Sequence, residues 1–309
     1  MISIYHSTSV NPAVAKLEKA KKGSWVHVSA PSDDELAALC HQYGLNNDLL
    51  RDAMDLYESP RVEEEDGSVY VYMRYYHENN GVVNATEPLL IIYTKELVVT
   101  VTRTDSQVLA GLLAGRRAVV TTQRTKLVLE IIQSVNASYQ RYVTRLTRRV
   151  LSVRSKLRST DIDSETLLGF IETEDDLNEF ASALEPQAAM LRNLLSGKYI
   201  RLYEEDKDLV EDALFVTSEV TDIVKSRIKT IRAIRQSFDA VAASELNKTF
   251  RRLTSISIFL MIPTVFSGIY GMNVQLPFAD DAHTFSAIFG LVILSSMLLV
   301  LVFRKKRWL

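Results

Sequence analysis

Two long stretches of this chain carry no charge at all. Between Leu253 and Tyr270, and again between Phe285 and Phe303, there is no Asp, Glu, Lys or Arg, whereas charges are dense almost everywhere before Leu253. Each stretch approaches the ~20 residues that a helix needs to cross the hydrocarbon core of a bilayer, so both are predicted to be membrane-spanning helices. The first part of the chain has another texture. Short β-rich runs at Trp25-Val26-His27-Val28, Val69 to Tyr76 and Leu97 to Val101 alternate with helical periodicity such as Asp33 to Tyr43. Asn79-Asn80-Gly81, between two such runs, has the composition of a hairpin turn. A compact α/β domain over residues 1–120 is expected.

After Gly115 the pattern becomes helical, for Thr122 to Arg158 contains neither Gly nor Pro and its apolar residues recur at helical spacing. Ser159-Thr160-Asp161 allows a break before a second helix that is expected to turn back antiparallel, giving a helical segment over 121–206. Its acidic run, Glu172-Thr173-Glu174-Asp175-Asp176, reads as a solvated face. From Lys207 to Tyr270 there is no Pro before Pro263 and no Gly before Gly268, so one helix is predicted to form a stalk over 207–252 and continue into the first span. At ~1.5 Å per residue it is on the order of 90 Å long. Ala213, Val216, Val220, Ile223, Ile231, Ile234, Phe238 and Val241 recur mostly at spacings of three and four. That stripe needs a partner helix, and self-association supplies one economically.

Composition adds little, since 36 basic residues balance 38 acidic ones and no whole-chain charge points to nucleic acid. The distribution of charge says more. Arg251-Arg252 precede the first span and Arg304-Lys305-Lys306-Arg307 follow the second, while the loop over 271–284 has no Lys or Arg. The positive-inside rule then places both termini in the cytoplasm of a multi-pass protein of the inner or plasma membrane. Met1 to His6 lacks the basic patch and apolar run of a secretory signal, which agrees with a cytoplasmic first domain. The single cysteine, Cys40, suits a reducing compartment and reads as a small buried apolar residue. There is no Gly-rich phosphate loop, no Ser/His/Asp cluster and no zinc spacing, so neither an enzyme nor an organic cofactor is expected.

If the first span lines an ion path, one of its faces should carry small, polar or flexible side chains. Stepping by three and four gives Asn247, Phe250, Leu253, Ser257, Met261, Thr264 and Gly268. The same Ser, Thr and Gly serve equally well for close helix packing in lipid, so the face alone leaves both readings open.

Tyr270-Gly271-Met272-Asn273, closing the penultimate hydrophobic stretch, strongly resembles the Tyr-Gly-Met-Asn signature of the CorA magnesium transporters. Trp25-Val26-His27-Val28, Pro60-Arg61-Val62-Glu63, the long helices and the ungapped stalk fall where that family has equivalents. The resemblance implies an α+β architecture: an N-terminal cytoplasmic α/β domain, a long helical stalk and a two-helix pore domain over 253–309, assembled as a funnel-shaped homopentamer. It further implies passive import of Mg2+, with Co2+ or Ni2+ tolerated. Asn247, Leu253, Met261, Thr264 and Gly268 would line the path, with Gly271, Met272 and Asn273 as the filter.

Magnesium sheds water reluctantly and prefers six oxygens, so a ring of Gly271 carbonyls and Asn273 amide oxygens suits the hydrated ion. Leu253 and Met261 would form apolar constrictions, and Asp280 and Asp281 in the external loop would concentrate cations. The loop departs from the family, because Val274-Gln275-Leu276-Pro277 stands where an acidic residue is common. Pro263 departs too, being separated from Met261 by Ile262.

By the same resemblance, cytoplasmic Mg2+ would gate the pore by bridging Asp212 on the stalk and Asp52 of a neighbouring subunit. Arg51 stands where the family often has another acid, which weakens such a site. Two other functions remain open: zinc transport on the same scaffold, and a membrane-anchored helical sensor or assembly protein whose spans are only anchors.

Overall fold

A computed structural model describes residues 1–11, 13–77, 86–114, 119–156, 164–274 and 283–306. They fall into two compact units, Met1–Arg232 and Ala233–Leu309.

The first unit is built on a seven-stranded mixed sheet. Its strands are β1 (Ile2–His6), β2 (Ala15–Leu17), β3 (Trp25–Ser29), β4 (Arg61–Glu65), β5 (Ser68–Tyr76), β6 (Thr86–Tyr93) and β7 (Val98–Thr102), in the spatial order β2-β1-β3-β7-β6-β5-β4. Only β3 and β7 run parallel; every other neighbouring pair is antiparallel. Both faces are covered, which explains why β5, β6 and β7 read as nearly continuous apolar runs rather than alternating ones. On one face Val26, Val28, Tyr70, Tyr72, Leu90, Val99 and Val101 pack on α1 (Asp33–Tyr43) and α2 (Asn47–Asp52). Ser32 and Glu35 close a capping box at the start of α1, and Gly44 ends it in the left-handed conformation. The side chains alternating with these, Trp25, Val71, Met73, Leu89 and Ile91, are buried on the opposite face.

After α3 (Gln107–Leu113) come α4 (Arg124–Lys156), α5 (Ser164–Leu195) and α6 (Glu204–Tyr270). The contacts of α4 and α5 run in opposite senses: Gln187 donates to Asn136 Oδ1 at 3.0 Å, Phe180 packs on Tyr139 and Tyr142, and Tyr142 donates to Asp176 Oδ2 at 2.9 Å. The two helices are therefore antiparallel. α6 joins them through Asn136 Nδ2, which donates to the Ala213 carbonyl at 2.9 Å, and through the ion pairs Lys225–Glu185 and Arg232–Glu174.

These contacts revise two expectations. The acidic run is not a solvated face throughout, because Glu174 and Asp176 are buried and bonded to Arg232 and Tyr142. Burial raises the Asp176 carboxyl above its ordinary range, an effect that the Tyr142 hydroxyl opposes. The apolar stripe of α6 is also not left for another subunit along its whole length. Ala213, Val220, Ile231 and Ile234 are already buried in a single chain, Val216, Ile223 and Phe238 are half-buried, and of the stripe Val241 alone is exposed.

The second unit holds the last part of α6 and α7 (Thr284–Lys305), both long and apolar enough to cross a membrane. α6 is continuous over 67 residues and passes through Pro263, which removes one amide donor from the middle of the apolar stretch. The expected Asn79-Asn80-Gly81 turn and the Ser159-Thr160-Asp161 break lie outside the described residues.

Candidate pore helix and ion entrance

The apolar part of α6 has two distinct sides. Ser255 is buried and Ile258, Ile262, Pro263 and Phe266 are half-buried, at the spacing of one helix face. α7 has a similar stripe, with Thr284, Ile288, Val292, Leu299 and Val300 half-buried and Ser296 and Phe303 buried. Leu253, Ser257, Met261, Thr264 and Gly268 are all exposed. At about 100° per residue their mean direction lies roughly 160° round α6 from the covered stripe. Asn247 is exposed as well, nearer the stalk.

The exposed side is chemically mixed. Met261 and Leu253 present their apolar side chains outward, 60% and 59% exposed. Thr264 donates its hydroxyl to the Leu260 carbonyl at 2.9 Å, which spends the donor on the helix and leaves the oxygen's two lone pairs as acceptors. At Gly268 an added Cβ would meet nothing within 4 Å, so packing inside one subunit does not require glycine there.

The Gly-Met-Asn motif forms the end of this helix. The Gly271 amide donates to the Ser267 carbonyl at 2.9 Å and the Met272 amide to the Ile269 carbonyl at 3.3 Å, so the last turn tightens as the chain leaves the helix. A Cβ on Gly271 would approach the Ser267 oxygen to 3.0 Å, which gives a local steric reason for glycine at this position. Met272 and Asn273 are both exposed at the tip. Asp280 and Asp281 lie outside the described residues. Of the basic collar, Arg251, Arg252, Arg304, Lys305 and Lys306 are exposed at the ends of the apolar stretches.

The two carboxylates expected to take a regulatory metal occupy different settings within the first unit. Asp212 is exposed on α6 beside a cavity of about 190 Å³, where Gln133, Asn136 and Gln140 of α4 add neutral polar groups. Asp52, at the end of α2, is already paired: its Oδ2 lies 2.8 Å from the Arg61 guanidinium. No group of three or more His, Cys, Asp or Glu side chains is disposed to hold a metal among the described residues. The pair fits a divalent ion only in part, since Asp212 is open and Asp52 has a resident cation. Sequence reasoning missed Arg61, although it stands in the quoted Pro60-Arg61-Val62-Glu63 string.

Comparison with known proteins accords with this architecture. Residues 20–305 match the family model described as CorA-like Mg2+ transporter protein. The cobalt/magnesium transport protein CorA of Methanocaldococcus jannaschii is 25% identical over 297 residues, covering 92% of this chain and 91% of its own. The magnesium transport protein CorA of Helicobacter pylori 26695 is 20% identical over 298 residues, covering 92% and 90%. Among solved structures, the complete Methanocaldococcus jannaschii CorA superposes with a TM-score of 0.86 at 21% identity, over 100% of this chain and 99% of that one. The full-length CmaX protein gives 0.77 at 16% identity, over 99% and 97%. The ZntB cytoplasmic domain of Vibrio parahaemolyticus gives 0.62 at 11%, over 78% and 98%, a likeness of fold alone. With a mixed sheet domain, a helix that runs on into an apolar span, a second apolar helix, and a family match over nearly its whole length, the chain belongs to the CorA-like Mg2+ transporter family.

Proposed function

We propose that this protein is a passive Mg2+ channel, admitting Co2+ or Ni2+ as well, in which several copies of α6 surround a common axis. A homopentamer with both termini in the cytoplasm is the arrangement proposed. The observation that carries the reading is the division of α6 into two sides. One is partly covered, and this is the side we assign to packing with α7. The other is exposed, carries Leu253, Ser257, Met261, Thr264 and Gly268, and leads to Gly271-Met272-Asn273. A transmembrane helix whose only duty is anchorage has no need of such a mixed face.

In this reading Gly271 and Asn273 oxygens from all subunits hold the incoming ion with its water, because the first shell of Mg2+ is costly to remove. Asp280 and Asp281 raise cation concentration outside. Leu253 and Met261 form apolar rings that close the path by dewetting, and Thr264 hydroxyl oxygens and the Asn247 amides receive the ion above and below them. Import needs no nucleotide: a divalent ion moving to the negative side gains about 4.6 kcal/mol per 100 mV, twice the value for a unit charge. Cytoplasmic Mg2+, bridging Asp212 of one subunit and Asp52 of the next, would hold the ring closed. Removing the ion leaves two carboxylates in mutual repulsion and favours opening.

Flux in proteoliposomes decides between a channel and an anchored assembly. Reconstituted wild type should pass Mg2+ under an inside-negative potential, and Asn273→Ala should lower the rate at least tenfold with the protein still folded and inserted. Absence of divalent flux in the wild type would eliminate transport, and an unchanged rate in Asn273→Ala would remove the proposed filter.

A further inference from the structure

The carboxylate proposed to sense cytoplasmic Mg2+ belongs to a larger charge cluster. Arg61, on the sheet's last strand β4, is paired with three acids from three places in the chain: Asp52 at the end of α2, Glu58 in the loop before β4, and Glu63 two residues along the same strand. Its guanidinium also lies 4.0 Å from the centre of the Tyr72 ring on β5, and the Tyr72 hydroxyl donates to the Leu49 carbonyl of α2 at 2.7 Å. The side chain is thus held from the side by its acids and from below by an aromatic face, an arrangement that suits the planar guanidinium better than an ammonium. The cluster counts three carboxylates against one guanidinium. Arg61 and Asp52 are 30% and 44% exposed, so the pair remains within reach of solvent and ions.

We infer that Arg61 is the built-in competitor of the divalent ion at Asp52, and that Mg2+ engages this carboxylate only by displacing the guanidinium. This rests on the regulatory reading of Asp52 and Asp212 given above. The consequence is a sensor with a deliberately high Mg2+ threshold. Each ion that binds must release Arg61 to Glu58 and Glu63, which can retain it because they pair with other nitrogens of the same group, Nη1 and Nε against Nη2 for Asp52. A displaced Arg61 therefore stays paired while Asp52 changes partner, so the exchange leaves no charge stranded.

The test is Mg2+-dependent protection from trypsin, measured on the full-length protein in detergent across a Mg2+ titration. Wild type, Arg61→Gln, Arg61→Lys, Asp52→Asn and the Arg61→Gln/Asp52→Asn double variant are compared, with circular dichroism and size-exclusion profiles confirming that each is folded. Arg61→Gln should lower the Mg2+ midpoint about fivefold, the scale of a partly exposed ion pair. Arg61→Lys keeps a cation and should lower it less, and the double variant should lose the gain. A midpoint in Arg61→Gln equal to or above that of wild type, with protection still abolished by Asp52→Asn, overturns the role of Arg61 and leaves the sensor intact. Protection that survives Asp52→Asn unchanged overturns the sensor reading and this inference with it. Protection absent from every variant, Arg61→Gln included, does the same, and the flux assay then reports separately whether the pore stands.

Discussion

The sheet of the first unit and the apolar helices of the second contain similar residues in opposite circumstances. Leu90 on β6 is wholly buried, whereas Leu294 on α7 is 68% exposed. In the first unit one chain completes its own hydrophobic core on both faces of the sheet, and its buried polar groups are largely matched, as with Arg103 on Glu87 and Trp25 on Thr100. In the second, each helix offers one partly covered stripe and leaves the rest uncovered. Burial in water stabilises the first region, while lipid and neighbouring subunits are the surroundings for which the second is built. The lesson is local: exposed Leu and Phe on α7 need no partner beyond lipid, but exposed Ser257, Thr264 and Gly268 on α6 invite water or another helix.

The sharpest break of this comparison is a core truncation. Trp25→Ala should destabilise the first unit by about 3–5 kcal/mol, as deletion of a large buried aromatic does, read as an earlier midpoint in chemical denaturation. It also removes the indole N–H that the Thr100 hydroxyl accepts at 2.9 Å, leaving that hydroxyl with His27 Nδ1 at 3.0 Å.

His27 gives the next effect. Burial lowers its pKa from the usual 6.5 to about 4, against a smaller opposing influence from Asp105. The unfolded chain then binds the extra proton between those values, so stability is full above pH 6.5, falls as the pH drops, and levels off below 4. The whole loss is no more than about 3 kcal/mol. Denaturation midpoints between pH 4 and 7 measure it, and His27→Gln should flatten that dependence. At the small end, Leu294→Ala should change the melting temperature of detergent-solubilised protein by an amount corresponding to less than about 0.5 kcal/mol. A loss comparable to that of Trp25→Ala would mean that this side of α7 is packed against protein.

Much of this was legible in the sequence for physical reasons that differ by region. Absence of charge identified both apolar helices, since no other feature is so costly to violate in lipid. Asp33 to Tyr43 was readable as α1 from its helical periodicity, to which the fold adds the Ser32–Glu35 cap and the Gly44 stop. The ends of the sheet were harder: β1, β2 and β4 are short and partly exposed, and they form through pairing rather than periodicity. The burial of Glu174 and Asp176 was hidden for a related reason, because their partners Arg232 and Tyr142 are distant in the chain. At the candidate pore, spacing gave the exposed face of α6, but the covered face emerged only from the fold. At Asp52 the string Pro60-Arg61-Val62-Glu63 was visible while the convergence of three acids on Arg61 was not, since α2 and β4 meet only after folding.

Accessibility of single cysteines along α6 measures most directly which side faces the ion path. In a Cys40→Ser background, cysteine would be placed in turn at Leu253, Met261, Thr264 and Gly268 on the exposed side and at Ile258, Ile262 and Phe266 on the covered side. Reconstituted protein would then be treated with a membrane-impermeant, positively charged thiol reagent and, separately, with a mild oxidant. The first set should react, lose Mg2+ flux on reaction and form disulfide-linked subunit pairs, while the second set stays unreactive and uncrosslinked. Reaction and crosslinking confined to Ile258, Ile262 and Phe266, or found equally on both sides, would contradict an axis lined by this face of α6.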